Sequence, residues 1–140
     1  MAVKGTSFGV GAGECFALLG VNGAGKSTTF NCITGYDVAS GGEVRLKDTD
    51  INNYFRKPYL MHQIAGYCPQ TNCIDDESSV IFTLTYFAKL VGIKADQVER
   101  AVKSLMDKVG LTPHQNTAAG SLSGGNKRKL CLAMALIGRP

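Results

Sequence analysis

The string Gly20-Val21-Asn22-Gly23-Ala24-Gly25-Lys26-Ser27 constrains this chain more than any other. It fits the pattern GxxxxGK[ST], in which a glycine-rich bend leads an open backbone into the start of a helix. Before it, Cys15-Phe16-Ala17-Leu18-Leu19 is a continuous apolar run, which reads as a strand buried on both faces. After it, the residues predict a short helix over 27–34 closed by Gly35. A strand, a bend and a helix N-terminus make an anion site, because unpaired amides and the helix dipole face the ligand. Gly20, Gly23 and Gly25 let the backbone curl round phosphates without side-chain clashes. Lys26 would bring positive charge to the β/γ-phosphates, and the Ser27 hydroxyl would be a ligand for Mg²⁺.

Further along, Gly41-Gly42 reads as the turn into a half-exposed strand with Val44 and Leu46 inward. Ile64-Ala65-Gly66-Tyr67-Cys68-Pro69-Gln70 predicts a short strand that ends at the proline, with Gln70 just beyond its carboxyl end. Ligand groups collect there in parallel α/β sheets. Two amphipathic helices follow. Val80, Leu84, Phe87 and Val91 recur at helical spacing ahead of Gly92. Val98, Ala101, Val102, Leu105 and Val109 form a second stripe, opened by Asp96 with Glu99 three positions on and closed by Gly110. Both stripes read as core packing. Ser123-Gly124-Gly125 then leads into the apolar run 130–137, again presenting amides and a small hydroxyl at a helix N-terminus.

Taken together, these motifs resemble the nucleotide-binding domain of ATP-binding-cassette (ABC) transporters of the A subfamily, whose members are largely lipid exporters. The resemblance rests on the glycine-rich loop, on Gly66-Tyr67-Cys68-Pro69-Gln70, on Ile74-Asp75-Asp76, and on Leu122-Ser123-Gly124-Gly125-Asn126-Lys127-Arg128-Lys129-Leu130. Asn126 stands where most ABC proteins have glutamine, a mark of this subfamily, and Ala135-Leu136-Ile137-Gly138 looks more like the C-terminal cassette than the first. The resemblance covers essentially the whole chain.

It implies an α/β P-loop NTPase with a parallel-sheet core, an antiparallel β edge and a helical subdomain. Residues 1–70 would carry the P-loop core and the Gln70 loop. Residues 71–125 would form the helical subdomain and signature loop, and 126–140 the start of the return helix. ATP with Mg²⁺ would be held by Gly20, Asn22, Gly23, Ala24, Gly25, Lys26, Ser27 and Thr28. Gln70 would touch Mg²⁺ and the attacking water. Ser123, Gly124 and Gly125 would reach ATP held by a second cassette, giving an ATP-sandwich dimer. Lys26, Gln70 and Ser123 carry the catalytic roles in that scheme. The other implied partner is a transmembrane domain, which would place the chain at the cytosolic face of a membrane. A soluble ABC-type ATPase acting as a switch is the alternative reading, and the Asn-Lys-Arg-Lys signature favours the transporter.

The family's Walker B strand, D-loop and switch histidine would follow a segment like 137–140, so the chain reads as truncated and inactive in hydrolysis by itself. Neither His62 nor His114 takes the switch role, and neither Tyr36 nor Tyr54 sits where the family's adenine-stacking aromatic is found. At 140 residues and 44% hydrophobic content, the chain is at most one domain. It contains no run long enough for a membrane span. Five cysteines without a CxxC pair suggest reduced thiols. A net charge of +4, with Lys127-Arg128-Lys129 lacking aromatic neighbours, argues against nucleic acid. That triplet reads as the solvated face of a helix.

Overall fold

In the computed structural model, residues 2–47, 49–51 and 65–138 are described, and they fall into two compact units, Met1–Met61 and His62–Pro140. In the first unit, helix α1 spans Lys26–Ile33 with Gly25 at its N-cap. Its end is closed by a reciprocal pair of backbone bonds: the Gly35 N–H donates to Cys32 O at 3.3 Å and the Tyr36 N–H to Asn31 O at 2.8 Å. This is the Schellman closure that a glycine just past the last turn favours, as Gly35 predicted. Strands β1 (Arg45–Leu46) and β2 (Thr49–Asp50) pair antiparallel, Arg45 against Asp50 and Leu46 against Thr49. Val44 and Leu46 are half-buried, as the alternation predicts, and Ile51 is fully buried.

The apolar run 15–19 differs from its reading as a strand. None of the described residues forms a ladder with it, and Leu19 is 87% exposed. A strand buried on both faces needs hydrogen-bonded neighbours on its edges and covering layers above and below. The described residues of this unit provide neither for it. Likewise 65–69 form no strand among the described residues, and Ile64, His62 and Tyr54 lie outside them.

The second unit is a small helical body. Helices α2 (Val80–Leu90), α3 (Ala95–Val109) and α4 (Gly124–Leu136) pack around one apolar core. From α2 come Val80, Leu84 and Ala88; from α3 Val98, Val102 and Met106; from α4 Leu130 and Ala133. Leu111, Ala119 and Leu122, on the segment joining α3 to α4, fill the remaining space. Phe87 and Val91, predicted as core, pack against this cluster half-buried. The buried Thr83 hydroxyl is satisfied by Ser79 O at 3.0 Å, so it enters the core without an unpaired donor.

Ser79 caps α2, its Oγ accepting from the Phe82 N–H at 3.3 Å. The expected capping box at Asp96 is not made. The N-cap of α3 is Lys94, Asp96 lies inside the first turn, and Glu99 bonds to Lys103 one turn on at 2.8 Å. A lysine an i,i+4 step away competes for that carboxylate, and their bond holds the Glu99 carboxyl below its usual range. Gly92 and Gly110 close α2 and α3 as Gly35 closes α1, the Ile93 N–H donating to Ala88 O and the Leu111 N–H to Met106 O.

Candidate functional site

The loop before α1 has the geometry of an anion cradle. Gly23 and Gly25 have φ of 85° and 87°, with Ala24 between them. Two left-handed glycines flanking one residue bend the loop sharply, a path that glycine takes without strain. Gly25 is required twice over. A Cβ there would lie 2.6 Å from the Ala2 carbonyl oxygen and 3.0 Å from Val3 Cγ2, besides the backbone strain.

The Lys26 ammonium folds back over the loop, donating to Gly20 O at 2.7 Å and Val21 O at 2.8 Å. Two of its three donors thereby hold the curl, and the third remains for a ligand. No side chain caps α1, and its first turn holds no acidic residue. The amides of Lys26, Ser27 and Thr28 therefore have no intrahelical partner, as at any helix start. Among the described residues, Ser27 Oγ also has no hydrogen-bond partner. Open amides, a lysine and a free hydroxyl without a competing carboxylate suit a phosphate chain with its metal ion. Asn22 is exposed on the same loop, and the Ala24 N–H bonds to Val21 O at 3.2 Å.

In the second unit, Gln70 is exposed and its backbone is held from α4. Arg128 Nη1 donates to Pro69 O at 2.6 Å and Gln70 O at 3.1 Å, and lies 3.4 Å from Asn72 Oδ1. Lys127 Nζ pairs with Asp76 Oδ1 at 3.3 Å. Two members of the basic triplet are therefore engaged with residues 69–76, while Arg128 and Lys129 remain exposed, as expected of a solvated face. The third, Lys129, puts its ammonium 3.8 Å from where a Cβ on Gly110 would be, at the carboxyl end of α3, where a cation suits the helix dipole. Sequence reasoning missed Arg128, because only the charge of 127–129 is visible in the string and not the distant carbonyls it meets.

The segment before α2 is stapled to the one before α4. The Val80 and Ile81 amides donate to Thr117 O and Gln115 O, and the Ala119 and Gly120 amides to Ser78 O and Asp76 O, all within 3.2 Å. Asp75 accepts from the Ser78 hydroxyl and the Glu77 amide, which hold its carboxyl below the usual range.

Ser123 is the N-cap of α4. Its Oγ accepts from the Asn126 N–H at 3.3 Å, and the buried Leu122 anchors the loop from behind. Gly124 and Gly125 are exposed, with nothing within 4 Å of an added Cβ. Among the described residues, no packing asks for glycine at either position. Cys131, beside Leu130 on α4, is buried, and burial pushes its thiol up. Among the described residues, no group of three or more His, Cys, Asp or Glu side chains could hold a metal ion, and no helix is long and apolar enough to cross a membrane.

Comparison with known proteins extends these observations. The family model described as ABC transporter matches residues 3–140. The chain is 42% identical over 139 residues to the rat ATP-binding cassette sub-family A member 7 and, over the same length, 42% identical to the human retinal-specific phospholipid-transporting ATPase ABCA4. Each alignment takes in 99% of this chain and 6% of the relative, so the chain spans a small part of the proteins it matches. Among solved structures, CbiO1 from Clostridium perfringens, described as part of the ABC transporter complex CbiONQ, superposes with a TM-score of 0.88 at 25% identity. That match covers 99% of this chain and 56% of CbiO1.

Proposed function

Because this chain belongs to the ABC transporter family and is homologous to the A-subfamily lipid transporters, we propose that it is the ATP-binding part of a membrane transporter whose cargo is lipid. The observation that carries ATP binding is the uncapped start of α1, with Lys26 folded over a loop bent by Gly23 and Gly25. The β- and γ-phosphates would be held by the open amides of Lys26, Ser27 and Thr28 and by the third donor of the Lys26 ammonium. Ser27 Oγ would be the loop's ligand to Mg²⁺, and Gln70 would serve the ion and the attacking water. When bound, Mg²⁺ would neutralise charge that builds on the transferred phosphoryl group. Lys26, Ser27 and Gln70 bind and orient but none is a general base, so turnover belongs to the intact protein.

A second cassette is the proposed partner of the Ser123 loop. Glycine is a weaker helix former than alanine, and among the described residues nothing demands two of them at the head of α4. A close approach from outside accounts for both. With its oxygen accepting from the Asn126 amide, the Ser123 hydroxyl keeps its own proton free to donate to a γ-phosphate held by the partner. In this scheme residues 1–70 carry the nucleotide core and 71–125 the helical subdomain. Association with the membrane, on its cytosolic face, comes through the transmembrane domain of the same transporter.

The test is Ser123→Arg in the intact transporter. ATP binding should change less than about twofold while hydrolysis falls at least about 100-fold, because bulk and charge block the approach that Gly124 and Gly125 permit. Hydrolysis at the wild-type rate would reduce Ser123 to a helix cap.

A further inference from the structure

Arg128 lies on α4 five residues beyond Ser123, in the turn after the exposed glycines. Its helix is fixed by Leu130, Ala133 and Ile137, all buried in the core, so the guanidinium is presented from a rigid element. Three oxygens converge on its Nη1: Pro69 O, Gln70 O and Asn72 Oδ1. That nitrogen carries two N–H groups, and its two shortest contacts are the main-chain carbonyls on either side of the Gln70 amide. Hydrogen bonds from an ionised donor are about twice as strong as neutral ones. The same Asn72 Oδ1 accepts from Cys131 Sγ at 3.6 Å, which ties the end of this segment to the same helix. The backbone of Gln70 therefore hangs from the helix that begins at the Ser123 loop.

We propose that Arg128 is a positioning residue for Gln70: by gripping the Pro69 and Gln70 carbonyls it sets the direction in which the Gln70 side chain leaves the backbone, and makes the Ser123 loop and Gln70 move as one piece. This rests on the proposed role of Gln70 at the metal and water. The partners of Arg128 are Pro69 O, Gln70 O and Asn72 Oδ1, so its proposed influence on the reaction passes through Gln70. A staple that merely holds the fold would act on stability and leave Gln70 indifferent to its loss. The two roles separate in a double-mutant cycle.

The experiment measures ATP hydrolysis by the intact transporter bearing Arg128→Met, Gln70→Ala, both, or Arg128→Lys. Arg128→Met should lower kcat about tenfold with KM for ATP changed less than about twofold, and should raise the Mg²⁺ concentration needed for half-maximal rate. Arg128→Lys, which keeps one charged nitrogen with three donors, should recover to within about threefold of wild type. On a Gln70→Ala background, adding Arg128→Met should cost less than about a further twofold. A full tenfold loss repeated on that background, an unchanged rate in Arg128→Met, or a rise in KM with kcat intact would overturn the proposal. If Arg128→Met fails to assemble, the same cycle run with Arg128→Gln decides on the same criteria. Nucleotide binding by Lys26→Ala is run alongside. Normal binding there would indict the ATP-site reading itself, whereas lost binding with an additive cycle would indict Arg128 alone.

Discussion

Alanine at Gly25 and alanine at Gly23 should have unequal consequences, although both glycines hold nearly the same φ. Each substitution forces a side chain into the left-handed region, at about 1–2 kcal/mol. At Gly23 no atom of the described residues lies within 4 Å of the new Cβ, so no collision adds to that cost. At Gly25 the Cβ would meet the Ala2 carbonyl oxygen at 2.6 Å and Val3 Cγ2 at 3.0 Å. The first neighbour is main chain and cannot rotate away, so the loop or the segment at Ala2 must shift, adding about 1–3 kcal/mol. With 1.4 kcal/mol worth a factor of ten, Gly25→Ala should weaken ATP affinity at least about fivefold more than Gly23→Ala. Titration of the intact protein with a fluorescent ATP analogue and Mg²⁺ reads this difference. Hydrogen exchange without nucleotide reads the collision free of any ligand contact, as faster exchange at residues 2–3 and 24–29 in Gly25→Ala only. Equal losses of affinity with equal exchange would refute the assignment of Gly25 as the closely packed position of the loop.

Two further outcomes follow from the helical unit. Leu84 is completely buried among α2, α3 and α4, so Leu84→Ala should destabilise that unit by about 2–5 kcal/mol, read as loss of exchange protection across all three helices together. Cys131 is buried with its thiol pushed up, whereas Cys15 and Cys73 are exposed, so iodoacetamide near neutral pH should alkylate the latter two well before Cys131.

The parts of this fold that could be read from the string are those decided within a few residues. Lys26, the glycines around it and the turn after Ile33 are local, and α1 falls within one residue of its expected start. The stripes of α2 and α3 were legible because a helix buries residues at its own period, and Gly92 and Gly110 marked where each ends. Asp96 misled because a capping pattern says nothing of Lys103, which draws Glu99 away. The run 15–19 shows the opposite limit: apolar sequence expresses a preference for a sheet, but a strand exists only through its neighbours. Arg128 and Lys127 were read by charge alone, and their partners lie more than fifty residues away in the chain.

The proposed function stands most directly on whether Lys26 and its loop hold the triphosphate. Equilibrium binding of labelled ATP with Mg²⁺ to the intact protein, wild type against Lys26→Ala, decides it. Loss of the ammonium from a phosphate contact should weaken binding by about 100-fold, with AMP, which lacks the β- and γ-phosphates, binding both proteins equally poorly. ATP affinity unchanged in Lys26→Ala would contradict the central claim.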